Sequence, residues 1–219
     1  MRDKSAVCIY SGGMDSFTLV NDLHQSGELY AALSFNYGQR HVKELDYAIQ
    51  YAAKAGIEHH VIDLHGLKPV LGGSALTTEM AVPEGHYQEE SMKLTVVPNR
   101  NAIMLSVAIA FAVSHKLDTV YFGAHAGDHA IYPDCRDEFV QAMDTVGRLA
   151  NWHPVSVQAP YQWMNKAQIL SVGYDLGLNY AESWTCYAGR EKACGKCGSC
   201  QERLEGFAMI GKVDPLEYE

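Results

Sequence analysis

The chain has 219 residues, 47% of them apolar and 20% charged, with a formal net charge of −9 at neutral pH. That is the composition of a globular protein with one substantial core. The acidic balance argues against broad binding to nucleic acid, no apolar run reaches bilayer length, and Met1-Arg2-Asp3-Lys4 enters the first strand with no signal region, so a cytoplasmic location without membrane attachment is expected.

Ala6-Val7-Cys8-Ile9-Tyr10 reads as a strand that breaks at Ser11-Gly12-Gly13 and opens a helix over residues 16–26, closed by Gly27. A strand, a glycine turn and a helix start leave main-chain N–H groups aimed outward at the positive end of a helix dipole, a seat for phosphate or pyrophosphate. No Lys follows the glycines, which excludes the Walker A spacing and suits cleavage of ATP between its α- and β-phosphates. The nucleotide-binding stretch is read as Tyr10, Ser11, Gly12, Gly13, Met14, Asp15, Ser16, Phe17, Thr18, Leu19 and Val20. Within it, Asp15 either holds magnesium or caps the helix, and Ser16 either caps it or binds a phosphate oxygen.

Residues 29–37 form a second predicted strand, 41–55 a helix with apolar residues at helical spacing that stops at Gly56, and 60–64 a third strand. This alternation predicts an α/β protein with an open, mostly parallel sheet and helices on both faces. Residues 65–97 break the rhythm with Gly66, Pro69, Gly72-Gly73, Pro83 and Gly85, and read as an active-site flap or a solvated insertion. Residues 101–116 are apolar on nearly all faces and predict a buried helix or a subunit contact. A strand at 119–123, a helix at 134–150, a strand at 155–157, a helix at 165–175 capped by Asn165 and a last helix at 201–210 complete the expected order.

Beyond the loop, Arg100 stands at a helix start, where its charge opposes the dipole unless an anion lies near, and ATP phosphates suit that place. Asp128 follows the fourth strand and suits a substrate amine or a metal. Arg136 suits a carboxylate or phosphate, Cys135 is a nucleophile or simply buried, and Asp134 is chiefly a helix cap. Together Asp15, Arg100, Asp128 and Arg136 are the candidate catalytic residues. Phe35 to His41 is a candidate nucleotide-recognition loop, and the ten histidines read as solvated or packed.

Cys186, Cys194, Cys197 and Cys200 crowd together near the end of the chain. Four thiolates enclose one tetrahedral zinc with no open position, a structural site. Iron–sulfur ligation shares this spacing, and disulfides are disfavoured for neighbouring cysteines in a cytosolic protein. The expected division is an ATP-binding α/β domain over residues 1–180 and a zinc-binding segment over 181–219 packed on it.

The Ser-Gly-Gly-x-Asp-Ser loop resembles the PP-loop of the N-type ATP pyrophosphatases. With Tyr37 to His41, Pro98-Asn99-Arg100-Asn101, Tyr132-Pro133-Asp134-Cys135-Arg136 and Thr185-Cys186-Tyr187 with the cysteine quartet, the chain from residue 6 to about 205 resembles the 7-cyano-7-deazaguanine synthase family of queuosine biosynthesis. It departs from that pattern at Asn99, where Gly is frequent, and over Asp128 to Tyr132, where a Ser-Gly-Tyr run is frequent. The resemblance implies a Rossmann-type fold of the adenine nucleotide alpha hydrolase kind. It implies a ligase that uses ATP, Mg2+ and ammonia to turn 7-carboxy-7-deazaguanine into the nitrile through adenylated intermediates, with one structural Zn2+. With the apolar helix at 101–116, it also implies a homodimer. A tRNA-thiolating PP-loop enzyme, a variant that stops at the amide, and a zinc-stabilised nucleotide sensor are the alternatives. The acidic charge disfavours the first of these.

Overall fold

The computed structural model describes residues 4–40, 42–86 and 90–219, so His41 of the candidate recognition loop lies outside the described residues. Five strands, β1 (Ala6–Ile9), β2 (Leu29–Asn36), β3 (His59–Asp63), β4 (Thr119–Tyr121) and β5 (Ser156–Gln158), form one sheet in the order β3-β2-β1-β4-β5. Every pairing is parallel, so each connection must cross the sheet, and helices supply the crossovers. They are α1 (Met14–Gln25), α2 (Lys43–Ala55), α3 (Arg100–His115), α4 (Asp137–Leu149), α5 (Lys166–Asp175) and α6 (Gly198–Met209).

Alternation along the strands divides the core in two. Val7, Leu33, Phe35, Val120 and Phe122 pack with Leu105, Ala108 and Ile109 of α3 and Met143 of α4. Cys8, Tyr10, Ala32 and Tyr121 point to the other side, with Phe17 and Val20 of α1, Ile169 and Leu170 of α5 and Phe207 of α6. Only one face of α3 is buried; Ser106, Ala110 and Ser114 are exposed, so the helix is less enclosed than its composition predicts.

The largest departure from expectation is the stretch 65–97. Two 3-10 segments, His65–Val70 and Glu90–Thr95, punctuate it, and Leu71, Leu76, Met92 and Val97 are buried in the main core. Four well-spaced apolar anchors hold this excursion against the core. Asn99 precedes α3 with φ at +55°. That left-handed backbone favours Gly and, next to it, Asn, which accounts for either residue at this place.

Helix boundaries follow local chemistry. Asn165 caps α5, accepting from the Gln168 amide at 3.0 Å while Gln168 Oε1 accepts from the Asn165 amide at 2.9 Å, a capping box. Asp134 caps a different helix from the one it precedes: its Oδ2 accepts from the Asn101 amide of α3 at 3.2 Å. No helix among the described residues is long and apolar enough to cross a membrane.

Candidate active site

In an open parallel sheet the ligand crevice lies beyond the carboxyl ends of the strands where the order reverses. Here that point is between β1 and β4, and the loop Ser11–Gly13 leaves β1 directly into it. Helix α1 begins at Met14, two residues earlier than predicted, and its N-cap Gly13 provides no side-chain cap, so the first-turn amides keep their capacity for an anion. The loop is braced from within. Ser16 Oγ accepts from the Ser11 amide at 3.2 Å and donates to the Gly13 carbonyl at 3.1 Å, while Ser11 Oγ accepts from the Gly13 amide at 3.1 Å. Gly12 sits at φ +91°, and a Cβ there would run into the Glu44 carbonyl of α2.

One cleft opens from this loop. Ser11, Gly13, Met14, Asp15 and Ser16 form its floor, Phe35, Tyr37, Met104 and Phe122 its apolar flank, and Arg100, Asp128, Tyr132 and Lys166 its polar walls. Of the sequence-predicted catalytic residues, Asp15, Arg100 and Asp128 meet here. Arg136 does not: it is exposed, with Nε donating to the His129 carbonyl at 2.9 Å. Phe17, Thr18, Leu19 and Val20 are buried in α1 and do not line the cleft; they anchor the helix that carries the loop. Cys135 lines the cleft, but burial pushes its thiol well above the usual range, which leaves it protonated and a poor nucleophile. None of the described residues of 65–97 lines the cleft, although Thr95 supports it from behind through a 2.8 Å bond to the Tyr132 hydroxyl.

Lys166 of the polar wall joins two residues packed behind it, His125 and Glu202, and sequence reasoning missed all three. Lys166 Nζ donates to Asp15 Oδ2 at 2.6 Å, stands 2.7 Å from His125 Nε2 and 3.3 Å from Glu202 Oε2. His125 Nε2 lies 3.4 Å from Asp128 Oδ1, and its Nδ1 accepts from the Gly127 amide at 3.1 Å. Three carboxylates thus surround one ammonium and one imidazole. Burial alone would lower the Lys166 pKa, but Asp15, Glu202 and Asp128 outweigh it and keep the ammonium charged. Burial also acts against ionised Asp15, yet Lys166 and His125 hold it below the usual carboxylate range. Asp128 is the opposite case: burial raises its pKa from 3.8 to about 6. Burial and Lys166 together lower His125, which favours neutral imidazole.

Two places offer donor sets that suit a metal ion. The four cysteine Sγ atoms lie within 4.8 Å of one another and are buried, with Cys194 and Cys200 4.0 Å apart. A tetrahedron of thiolates at zinc–sulfur bonding distance has an edge of about 3.8 Å, so the set fits. Amides of Ala188, Lys196 and Cys197 lie 3.4 Å from cysteine sulfurs, and that of Cys194 lies at 3.3 Å, which suits thiolate ligands. Asp15 Oδ1 is buried and accepts no hydrogen bond, an oxygen donor of the kind magnesium takes.

A glycine turn into an uncapped helix start at the switch point of a parallel sheet, faced by a buried lysine, is the arrangement of an α/β protein of the PP-loop class. The family model described as queuosine biosynthesis protein QueC matches residues 5–211, and the chain belongs to that family. It is 58% identical over 215 residues to the 7-cyano-7-deazaguanine synthase of Marinobacter nauticus, covering 98% of this chain and 97% of that protein. To the enzyme of the same name from Hahella chejuensis it is 59% identical over 214 residues, covering 98% and 93%. Solved structures share the fold at low identity. NMN synthetase from Francisella tularensis has a TM-score of 0.51 at 13% identity, over 97% of this chain and 79% of that one. The U34-tRNA thiolase NcsA from Methanococcus maripaludis, with its 4Fe-4S cluster, has a TM-score of 0.50 at 17% identity, over 98% and 69%.

Proposed function

We propose that this cleft converts 7-carboxy-7-deazaguanine and ammonia to 7-cyano-7-deazaguanine at the expense of ATP, a ligase reaction that makes a carbon–nitrogen bond. The observation that carries the reading is the uncapped start of α1 at the switch point, faced by the charged Lys166, in a chain of the nitrile-forming family. A carboxylate oxygen is a poor leaving group. Attack of that oxygen on the α-phosphorus of ATP makes the acyl adenylate and expels pyrophosphate. The amides at Met14 to Ser16 and Lys166 stabilise the departing charge. Ammonia then forms the C–N bond, AMP leaves, and the amide remains. A second ATP adenylates the amide oxygen; loss of AMP with both N–H protons leaves the nitrile.

Asp128, with a pKa of about 6, is placed to accept a proton from ammonium or from the attacking nitrogen near neutral pH. Arg100, half-buried at the start of α3 and 3.5 Å from the Tyr37 hydroxyl, offers a cation to phosphate or to the substrate carboxylate. Bound Mg2+ would be held by Asp15 and would supply charge neutralisation to the phosphates. Cys186, Cys194, Cys197 and Cys200 would hold one structural Zn2+ in the segment 181–219, against the ATP-binding part at 1–180. The outward face of α3 suits a homodimer contact, and the reaction suits the cytoplasm.

Mass spectrometry of the product after incubation with ATP, Mg2+, ammonium and the acid tests the reading. Nitrile with two AMP per product is expected. Amide alone would assign a variant that stops halfway, and no reaction with full ATP binding would leave a nucleotide sensor instead.

A further inference from the structure

The segment 184–187 belongs to two sites at once. Cys186 is one of the four clustered cysteines, while its neighbours Thr185 and Tyr187 both line the cleft. The main chain is joined to the phosphate loop as well: the Trp184 amide donates to the Gly12 carbonyl at 2.9 Å. Trp184 is buried, and its indole N–H donates to the Cys186 carbonyl at 3.1 Å, so the turn into the cysteine and the brace on the loop share one residue. The Tyr187 hydroxyl stands 3.3 Å from that of Tyr132, which also lines the cleft.

Side chains rather than a main-chain ladder order this stretch: Arg203 donates to the Thr185 hydroxyl at 3.0 Å, and Lys43 lies over the Trp184 ring. Between residues 183 and 197 there is no helix or paired strand, only isolated bridges joining Glu84 with Cys197 and Ala193 with Tyr218. A segment with so few regular main-chain bonds opens locally at low cost, and four bonds to one ion at Cys186 would add a strong constraint to it. We propose that Thr185 and Tyr187 are positioning residues of the cleft, held in place by metal at Cys186, and that metal binding and ATP binding in this chain are therefore coupled. This rests on reading the cleft as the ATP site. Coupling between two binding equilibria is reciprocal, so ATP must tighten the metal by the factor by which metal tightens ATP.

The test uses the zinc-loaded full chain. Zinc release to an excess of chelator is followed with and without saturating non-hydrolysable ATP analogue, and analogue binding is measured separately by calorimetry. Release is expected to slow about fivefold or more, the lower end of common coupling factors. In Tyr187→Ala, zinc content is expected to stay at one per chain, analogue affinity to fall, and the slowing at saturation to shrink. Unchanged release with the analogue demonstrably bound overturns the proposal. So does slowing that persists undiminished in Tyr187→Ala, because that is the mark of global stabilisation. Failure of the analogue to bind the loaded protein overturns the reading of the cleft itself, and the coupling with it.

Discussion

Lys166 Nζ and Asp15 Oδ2 meet at 2.6 Å, joining α5 to the first turn of α1. The Lys166 side chain is 7% exposed and that of Asp15 19%, so this is a desolvated pair rather than a surface one. Removing one partner of such a pair leaves the other buried and uncompensated, at a cost of about 3–5 kcal/mol. Lys166→Met is therefore expected to lower the urea midpoint clearly. Because Lys166 also faces the phosphate loop, kcat should fall by about 10²–10³, the loss typical of one preorganised charge-stabilising group. Urea unfolding and pyrophosphate release measured on one preparation separate the two effects. A variant that keeps full turnover would remove Lys166 from the chemistry.

The pH profile follows from Asp128. Its carboxyl titrates near 6 rather than 3.8, in a setting of Lys166 from α5, Asp15 from α1, Glu202 from α6, His125 before it and Arg100 from α3. If the ionised form takes the proton from the amine, kcat/KM climbs about tenfold per pH unit below 6 and levels above it. Asp128→Asn should abolish that limb and leave a low, flat rate over the same range. The stability effect has the opposite sign. A carboxyl raised on folding contributes stability in its protonated form, present in full below 3.8 and lost as the pH rises through about 6. Thermal melts of the Asn variant should consequently depend less on pH between 4 and 6 than those of the parent.

Two glycines with similar backbone angles should respond differently to alanine. Gly12 and Gly27 have φ of +91° and +79°. A Cβ at Gly27 meets open space, whereas one at Gly12 collides with the Glu44 carbonyl and lies 3.2 Å from the Ala48 amide nitrogen. Gly27→Ala is expected to cost only the left-handed strain of about 1–2 kcal/mol. Gly12→Ala must also push α2 away from the loop, and ATP affinity should fall with it. Calorimetric titration with ATP analogue is the check, with equal affinities for the two variants as the contrary outcome.

Much of this architecture was legible locally. Alternating strand and helix patterns, the glycine turn, the Asn165 cap and the cysteine spacing are each written in short stretches of chain. The anchoring of the excursion at 65–97 was not legible because Leu71, Leu76, Met92 and Val97 follow no period between its glycines and prolines. The charged cluster was missed for a different reason: Lys166 and Asp15 are 151 residues apart and share no motif. One signal did exist. Lys166, Ile169, Leu170 and Gly173 form the buried stripe of α5, at the i, i+3, i+4, i+7 spacing of an inward face. A lysine in that register demands a partner. Arg203 gives the same signal on α6, where it shares a buried stripe with Cys200, Gly206 and Phe207.

Arg203 supplies the last prediction. Its guanidinium is fully buried, with Nε 2.6 Å from Asp214 Oδ2 and Nη2 2.9 Å from Asp214 Oδ1, a bidentate pair. The remaining donors reach the Ser183 hydroxyl at 2.9 Å, the Thr185 hydroxyl at 3.0 Å and the Tyr180 carbonyl at 2.9 Å. This one side chain ties α6 to the tail at Asp214 and to the segment leading into Cys186. Asp214→Ala would strand the guanidinium, and a loss of about 3–5 kcal/mol is expected. The paired change Arg203→Met with Asp214→Leu removes both charges while keeping bulk, and should recover a large part of that loss. Both variants retain the four cysteines, so zinc content is the internal control. A double-mutant cycle from urea midpoints measures the coupling, and additivity of the two single changes would show that the pair does not act as a unit.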